Sequence, residues 1–132
     1  MKTVHIVIER TKNGFTAYAK NVEAVYVAGD SVTEVKQSVD EAISLLVSEN
    51  KPQFIPSILK GRYQIEYAFD LESFLAFYKG IFTNSALERL TGINQRLIQQ
   101  YAVGLKKPRE KQRKRIEHAL HLLGEELLAV RL

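Results

Sequence analysis

Residues 83–108, TNSALERLTGINQRLIQQYAVGLKKP, decide how this chain is read. Leu87, Ile93, Ile98 and Tyr101 fall at the spacing that two short helices need to share an apolar seam, and Gly92 stands where the first helix must turn into the second. Glycine takes the positive φ of such a turn without steric cost. The opposite side of the second helix carries Asn94, Gln95, Arg96, Gln99 and Gln100, five hydrogen-bonding side chains with few apolar rivals. Asn94 also stands at the N-cap position, where its side chain can accept from a first-turn N–H.

Two short helices around a glycine turn, with an amide-rich outer face, form the pattern of a helix-turn-helix DNA reader. The residue types follow from the geometry of the duplex. A second helix enters the major groove, about 12 Å wide, and meets base edges with its first turns. Gln and Asn pair bidentately with adenine and Arg with guanine. The expected DNA-binding residues are therefore Asn94, Gln95, Arg96, Gln99 and Gln100 at the bases, with Lys106, Lys107 and Arg109 behind them at the phosphates.

Charge follows the same division. Residues 1–69 hold 8 Lys+Arg and 8 Asp+Glu, so the whole net charge of +4 lies in residues 70–132. Between Arg89 and Arg115 nine basic residues face a single acid, Glu110. Such a run is either a solvated or membrane-surface helix face or a phosphate footprint; its place directly after a recognition helix favours phosphate.

The flanking helices complete the second half. Asp70 is a natural N-cap for Leu71, Phe74, Leu75 and Tyr78 at helical spacing, and a last helix from Arg109 carries Ile116, Leu120, Leu123, Leu127 and Val130, with Leu122 and Leu128 in addition. So wide an apolar face exceeds what a small domain needs and points to a homodimer or higher homo-oligomer. Two modules related by a two-fold axis would read half-sites of a palindromic operator about one helical turn apart.

From Thr83 to Val130 the chain resembles the helix-turn-helix domain of the lambda-repressor (Xre-like) superfamily, whose recognition helix is followed by a Gly, basic residues and a Pro, here Gly104, Lys106, Lys107 and Pro108. The family usually places a small residue four positions before the turn glycine. This chain has Glu88 there, and an unpaired buried carboxylate is costly, so Glu88 should swing outward unless the register differs.

The first half changes period. Val4, Ile6 and Ile8 alternate with polar residues, as do Phe15, Ala17 and Ala19; Val25 and Val27 lead to Gly29-Asp30. Asn13-Gly14, two residues tolerant of positive φ, suits a hairpin between the first two strands. Ser31-Val32-Thr33-Glu34 reads as a capping box opening a helix to about Asn50, Pro52 and Pro56 bound a loop, and Arg62 to Ala68 alternates as a fourth strand. The predicted fold is α+β: a small βββαβ sheet domain with one covering helix over residues 1–69, then an all-α helix-turn-helix domain over residues 70–132. The fourth strand, returning by a helical crossover, can lie parallel to an earlier one.

This half resembles the antitoxins of the HicB family, which have a partial ribonuclease H-like domain in this order. Asn21 to Ile43, NVEAVYVAGDSVTEVKQSVDEAI, looks like their strand-turn-helix signature at Gly29, Asp30, Ser31, Glu41 and Ala42. The Pro and Gly common before their third strand are replaced around Asn21 to Ala24. The resemblance implies a HicA-type RNA-cleaving toxin protein as partner, operator double-stranded DNA as ligand, autorepression of a toxin-antitoxin operon, and no enzymatic activity. A lone transcription regulator with a ligand-sensing N-terminal domain fits the same layout.

The residues themselves bound the remainder. Ribonuclease H-like folds carry metal-binding carboxylates, and Glu9, Asp40, Glu41 and Glu66 allow a two-metal nuclease to be imagined. Alternation, however, turns Glu9 and Glu66 away from Ile8 and Ile65, and solvated carboxylates are the commoner case. His118 and His121, at i and i+3, lack the spacing or companions of a metal site, so neither a metal nor a cofactor is expected. The chain has no Cys, no apolar run near the ~20 residues of a membrane span, and a charged start unlike a secretory signal, so a cytoplasmic protein without membrane association is expected.

Overall fold

The computed structural model describes residues 1–132. The protein is α+β, with one four-stranded mixed sheet and five helices. The elements run β1 (Lys2–Thr11), β2 (Gly14–Ala19), β3 (Tyr26–Gly29), α1 (Val32–Ser48), β4 (Tyr63–Phe69), α2 (Leu71–Phe77), α3 (Asn84–Thr91), α4 (Gln95–Ala102) and α5 (Glu110–Leu128). They form two compact units, Met1–Asp70 and Leu71–Leu132.

In the first unit the strand order is β3-β2-β1-β4, with β4 parallel to β1 and the other pairs antiparallel. Register follows the period-2 pattern of the sequence. Ile6 stands opposite both Ala19 and Tyr67, and Ile8 opposite both Ala17 and Phe69, so one face of the sheet is apolar across three strands. α1 covers it with Val32, Val35, Val39 and Ile43, all buried together with Val4, Ile6, Ile8 and Ala17. At the β4 side of that face the Lys36 ammonium lies 4.7 Å from the centre of the Tyr67 ring. Burial, and then the Asp40 carboxylate, push the Tyr67 phenol above its ordinary pKa and keep it neutral.

The helix start matches its sequence signal. The Ser31 Oγ accepts from the Glu34 N–H at 3.1 Å, while the Glu34 carboxylate reaches back to accept from the Asp30 N–H at 2.8 Å. The stretch between Pro52 and Pro56 departs from the expected loop: it is a single 3-10 turn over Pro52–Phe54, followed by another over Ser57–Leu59. The Lys2 ammonium ties the second turn to β1 by donating to the carbonyls of Ser57, at 2.9 Å, and Lys60.

Two turns correct the sequence reading. The β1–β2 hairpin turns at Lys12-Asn13, and neither Asn13 nor Gly14 has positive φ. Gly14 is needed instead for a close approach, because a Cβ there would fall 2.4 Å from the carbonyl oxygen of Gly29. In the connection to β3, where the resemblance lacked a glycine, Ala24 takes φ 67°, and no other non-glycine residue has positive φ. Asn21 stabilises this connection by accepting from the His5 N–H at 3.0 Å and donating to the Thr3 carbonyl at 2.8 Å. The burial of Val22 and Val25 holds its two ends to the core.

The second unit has its own core of Leu75, Leu87, Ile93, Ile98, Tyr101 and Ile116. Its packing leaves a cavity of only about 10 Å³ between α2, α3, α4 and α5. No helix in the chain is long and apolar enough to cross a membrane.

These geometries fix two opposite expectations for thermal unfolding. Ala24→Gly should stabilise the protein by about 1 kcal/mol, since a left-handed alanine costs that much and glycine does not. Gly14→Ala should lower stability by more than about 2 kcal/mol, because the clash is with backbone.

Candidate nucleic-acid interface

The α3–α4 pair is built from the turn outward. Gly92, at φ 75°, ends α3, and its N–H bonds back to the Glu88 carbonyl at 2.7 Å. Thr91 is buried beside it; its hydroxyl donates to the Leu87 carbonyl at 2.7 Å and accepts from the Ile93 N–H at 3.1 Å. A side chain at Gly92 would meet a second obstacle, because its Cβ would lie 2.7 Å from a guanidinium nitrogen of Arg115 on α5. One of the nine basic residues between Arg89 and Arg115 therefore packs on the turn.

Glu88 takes neither simple course that the sequence suggested. It is half-buried, and its carboxylate turns toward α4, where it accepts from the Gln95 N–H at 2.7 Å. Asn94 accepts from the next N–H, that of Arg96, at 2.8 Å. Two of the four free donors at the start of α4 are thus satisfied by side chains, one of them an anion at the positive end of the helix dipole. A residue that looked misplaced in sequence ties the two helices together.

With Ile98 and Tyr101 buried against the core, the other side of α4 is presented outward. Asn94, Gln95, Arg96 and Gln99 are exposed; Gln100 is half-buried at the edge of the face. Gln99 is not free to turn. The Asn84 amide in the first turn of α3 donates to the Gln99 Oε1 at 2.7 Å, occupying one lone pair and leaving the Gln99 amide N–H groups as donors. Asn84 was not singled out from sequence, since a polar residue in a first helical turn carries no signal of a partner fifteen positions away. Val103, 60% exposed at the end of α4, adds an apolar group to the same face.

The basic residues behind α4 are held by its C-terminal end. Gly104 has φ 76°; its N–H bonds the Tyr101 carbonyl at 3.2 Å, and the Leu105 and Lys106 N–H groups both bond the Gln100 carbonyl, at 2.9 and 3.2 Å. This is a Schellman closure, in which glycine satisfies the last free carbonyls of the helix. Lys106, Lys107 and Arg109 in the segment that follows are exposed, and α5 continues with exposed Lys111, Arg113, Lys114 and Arg115. Amide and guanidinium groups thus lie exposed on one helix face, with cations in the loop and helix that follow it.

The carboxylates weighed for a nuclease are kept apart. Glu9 and Glu66 lie on the uncovered face of the sheet, where Glu66 pairs with the His5 Nδ1 at 3.5 Å, while Asp40 and Glu41 are exposed on α1 across the other face. No group of three or more His, Cys, Asp or Glu side chains gathers into a metal-binding cluster.

Glu88→Ala should lower stability by about 1–2 kcal/mol, the range for a charge-assisted hydrogen bond to a helix start, and Glu88→Gln by less; thermal unfolding of both variants measures it. Comparison with known proteins returns no matching family model, no similar curated protein and no similar solved structure.

Proposed function

We propose that residues 71–132 are a helix-turn-helix module that binds double-stranded DNA in a sequence-specific way, with α4 as recognition helix. The observation that carries this reading is the outer face of α4: Asn94, Gln95, Arg96 and Gln99 exposed together, opposite buried Ile98 and Tyr101, and followed by exposed Lys106, Lys107 and Arg109. Arg96 is suited to guanine, and the amides of Gln95 and Gln100 to adenine. Gln99, pinned by Asn84, offers its donors to an acceptor such as a purine N7 or a phosphate, and Val103 suits a thymine methyl.

For the whole chain we propose an antitoxin of the HicB type that represses its own operon. The element order β1-β2-β3-α1-β4 supports it, and so does the Gly29-Asp30-Ser31 turn into α1. In this reading the partial ribonuclease H-like unit binds a HicA-type toxin in the cytoplasm, and it is a binding module rather than an enzyme. A lone regulator whose first unit senses a small ligand is the alternative.

Selection of bound duplexes from a random pool tests the DNA reading. Arg96→Ala should relax the selected motif at one or two positions and cost about 1–3 kcal/mol on the preferred site. Lys107→Ala should weaken binding to all sequences alike and reduce the salt slope by about 1. Enrichment of no motif would defeat the proposal. The antitoxin reading is tested by co-expression with the small open reading frame beside the gene, which should yield a stable complex and relief of that neighbour's toxicity; a harmless or non-binding neighbour favours the alternative.

A further inference from the structure

α1 covers the apolar face of the sheet unevenly. It lies over β3 and β2, and on the same face Val4, Ile6 and Ile8 of β1 are fully buried. The alternate residues of β4 on that face, Tyr63, Ile65, Tyr67 and Phe69, stay half-buried. Over Tyr67 lies the Lys36 side chain, whose ammonium makes no ion pair.

The outer edge of β4 is open as well. In β1 the His5 carbonyl accepts from the Lys20 N–H on the β2 side at 2.8 Å, so the even-numbered residues of β1 are those that bond β4. Val4 stands opposite Ile65 and Ile6 opposite Tyr67, which sends those bonds to Gln64, Glu66 and Ala68. The N–H and C=O groups of Ile65 and Tyr67 therefore point away from the sheet, about 7 Å apart along the strand, and no other group of the chain bonds them. Sheets blunt such edges with lysine, proline, a bulge or a very short strand. The other edge, β3, has four residues. β4 has seven, with neither proline nor cation, and pairs with β1 residue for residue.

We infer that β4 takes a strand from a partner protein, in the antitoxin reading the toxin, by main-chain pairing along this open edge. Apolar side chains at alternate positions of the added strand, with a carboxylate beside Lys36, then close over Tyr63, Ile65 and Tyr67. Donors and acceptors repeating at every second residue match a strand, whereas a small ligand engages one such pair at most. A second copy fits less well. Pairing β4 with β4 would fill the edge, but the second α1 would lie over its own β2 and β3 and leave the half-buried rows of both copies side by side and uncovered. The partner must bring an apolar cover together with the strand.

The identity of the partner rests on the antitoxin reading, and the experiment separates the two. Residue-resolved amide hydrogen exchange is measured on the full chain, free and in complex with the product of the neighbouring small open reading frame. The Ile65 and Tyr67 amides should exchange fast in the free chain and at least about a hundredfold more slowly in the complex, whereas Glu66 and Ala68, already bonded to β1, should be slow in both. Docking through side chains alone gives no such alternation. Ile65→Pro removes an outward donor without touching the β1 ladder, and Ile65→Ala removes the same side chain but keeps the donor. The proline variant should bind the partner at least about tenfold more weakly than the alanine variant. A complex in which Ile65 and Tyr67 exchange as fast as in the free chain, or equal binding by the two variants, would overturn the inference and leave the antitoxin reading standing. Protection already present in the free chain and lost on dilution would give the edge to a second copy and overturn it too. A neighbour that does not bind removes both, with the reading of α4 intact.

Discussion

The direction of α4 depends on one hydrogen bond across a turn. The Glu88 carboxylate in α3 accepts from the first N–H of α4, and with Thr91 bonded to both sides of Gly92 the two helices have a single relative setting. Everything offered outward on α4 inherits that setting, because Ile98 and Tyr101 are buried only when the helix is rotated so that Arg96 and Gln99 face water. The Asn84–Gln99 amide pair is a further product of the same rotation. Polar side chains held in this way lose less freedom on meeting a ligand than free ones would.

The sheet unit achieves its order by different means. Its core rests on strand register: a one-residue slip between β1 and β4 would carry Ile65, Tyr67 and Phe69 out of the apolar layer under α1. The connections then accept what the register imposes. Ala24 holds a left-handed conformation because Val22 and Val25 are buried on either side of it, and Gly14 survives at the start of β2 because Gly29 crosses too close for any side chain. These are costs of local conformation, outweighed by burial of the strands they join.

Much of this was legible beforehand. Alternation located the strands, the 3.6-residue period located α1, and Ser31 and Gly92 marked helix ends by chemistry that acts within four residues. Less legible was whatever depended on a neighbour distant in sequence. Asn13-Gly14 carries the signature of a primed turn, yet the glycine serves an approach by Gly29, fifteen residues away. Glu88 looked like a misfit because its partner is the backbone of another helix, and backbone N–H groups leave no trace in a sequence. Gln99 and Gln100 were equivalent on a helical projection, whereas one is pinned by Asn84 and the other is half-buried.

The sequence by itself determined which segments are helix or strand, which side of each is apolar, and that the positive charge gathers in the second half. These properties are local and periodic, set by residue type and spacing. The tertiary structure decided the parallel pairing of β4 with β1, the strained turn at Ala24, the seating of Glu88 on α4, and which amides of α4 are free. Each of those depends on which backbone groups arrive within hydrogen-bond or van der Waals distance once the chain is closed, and that distance is a property of the packed fold.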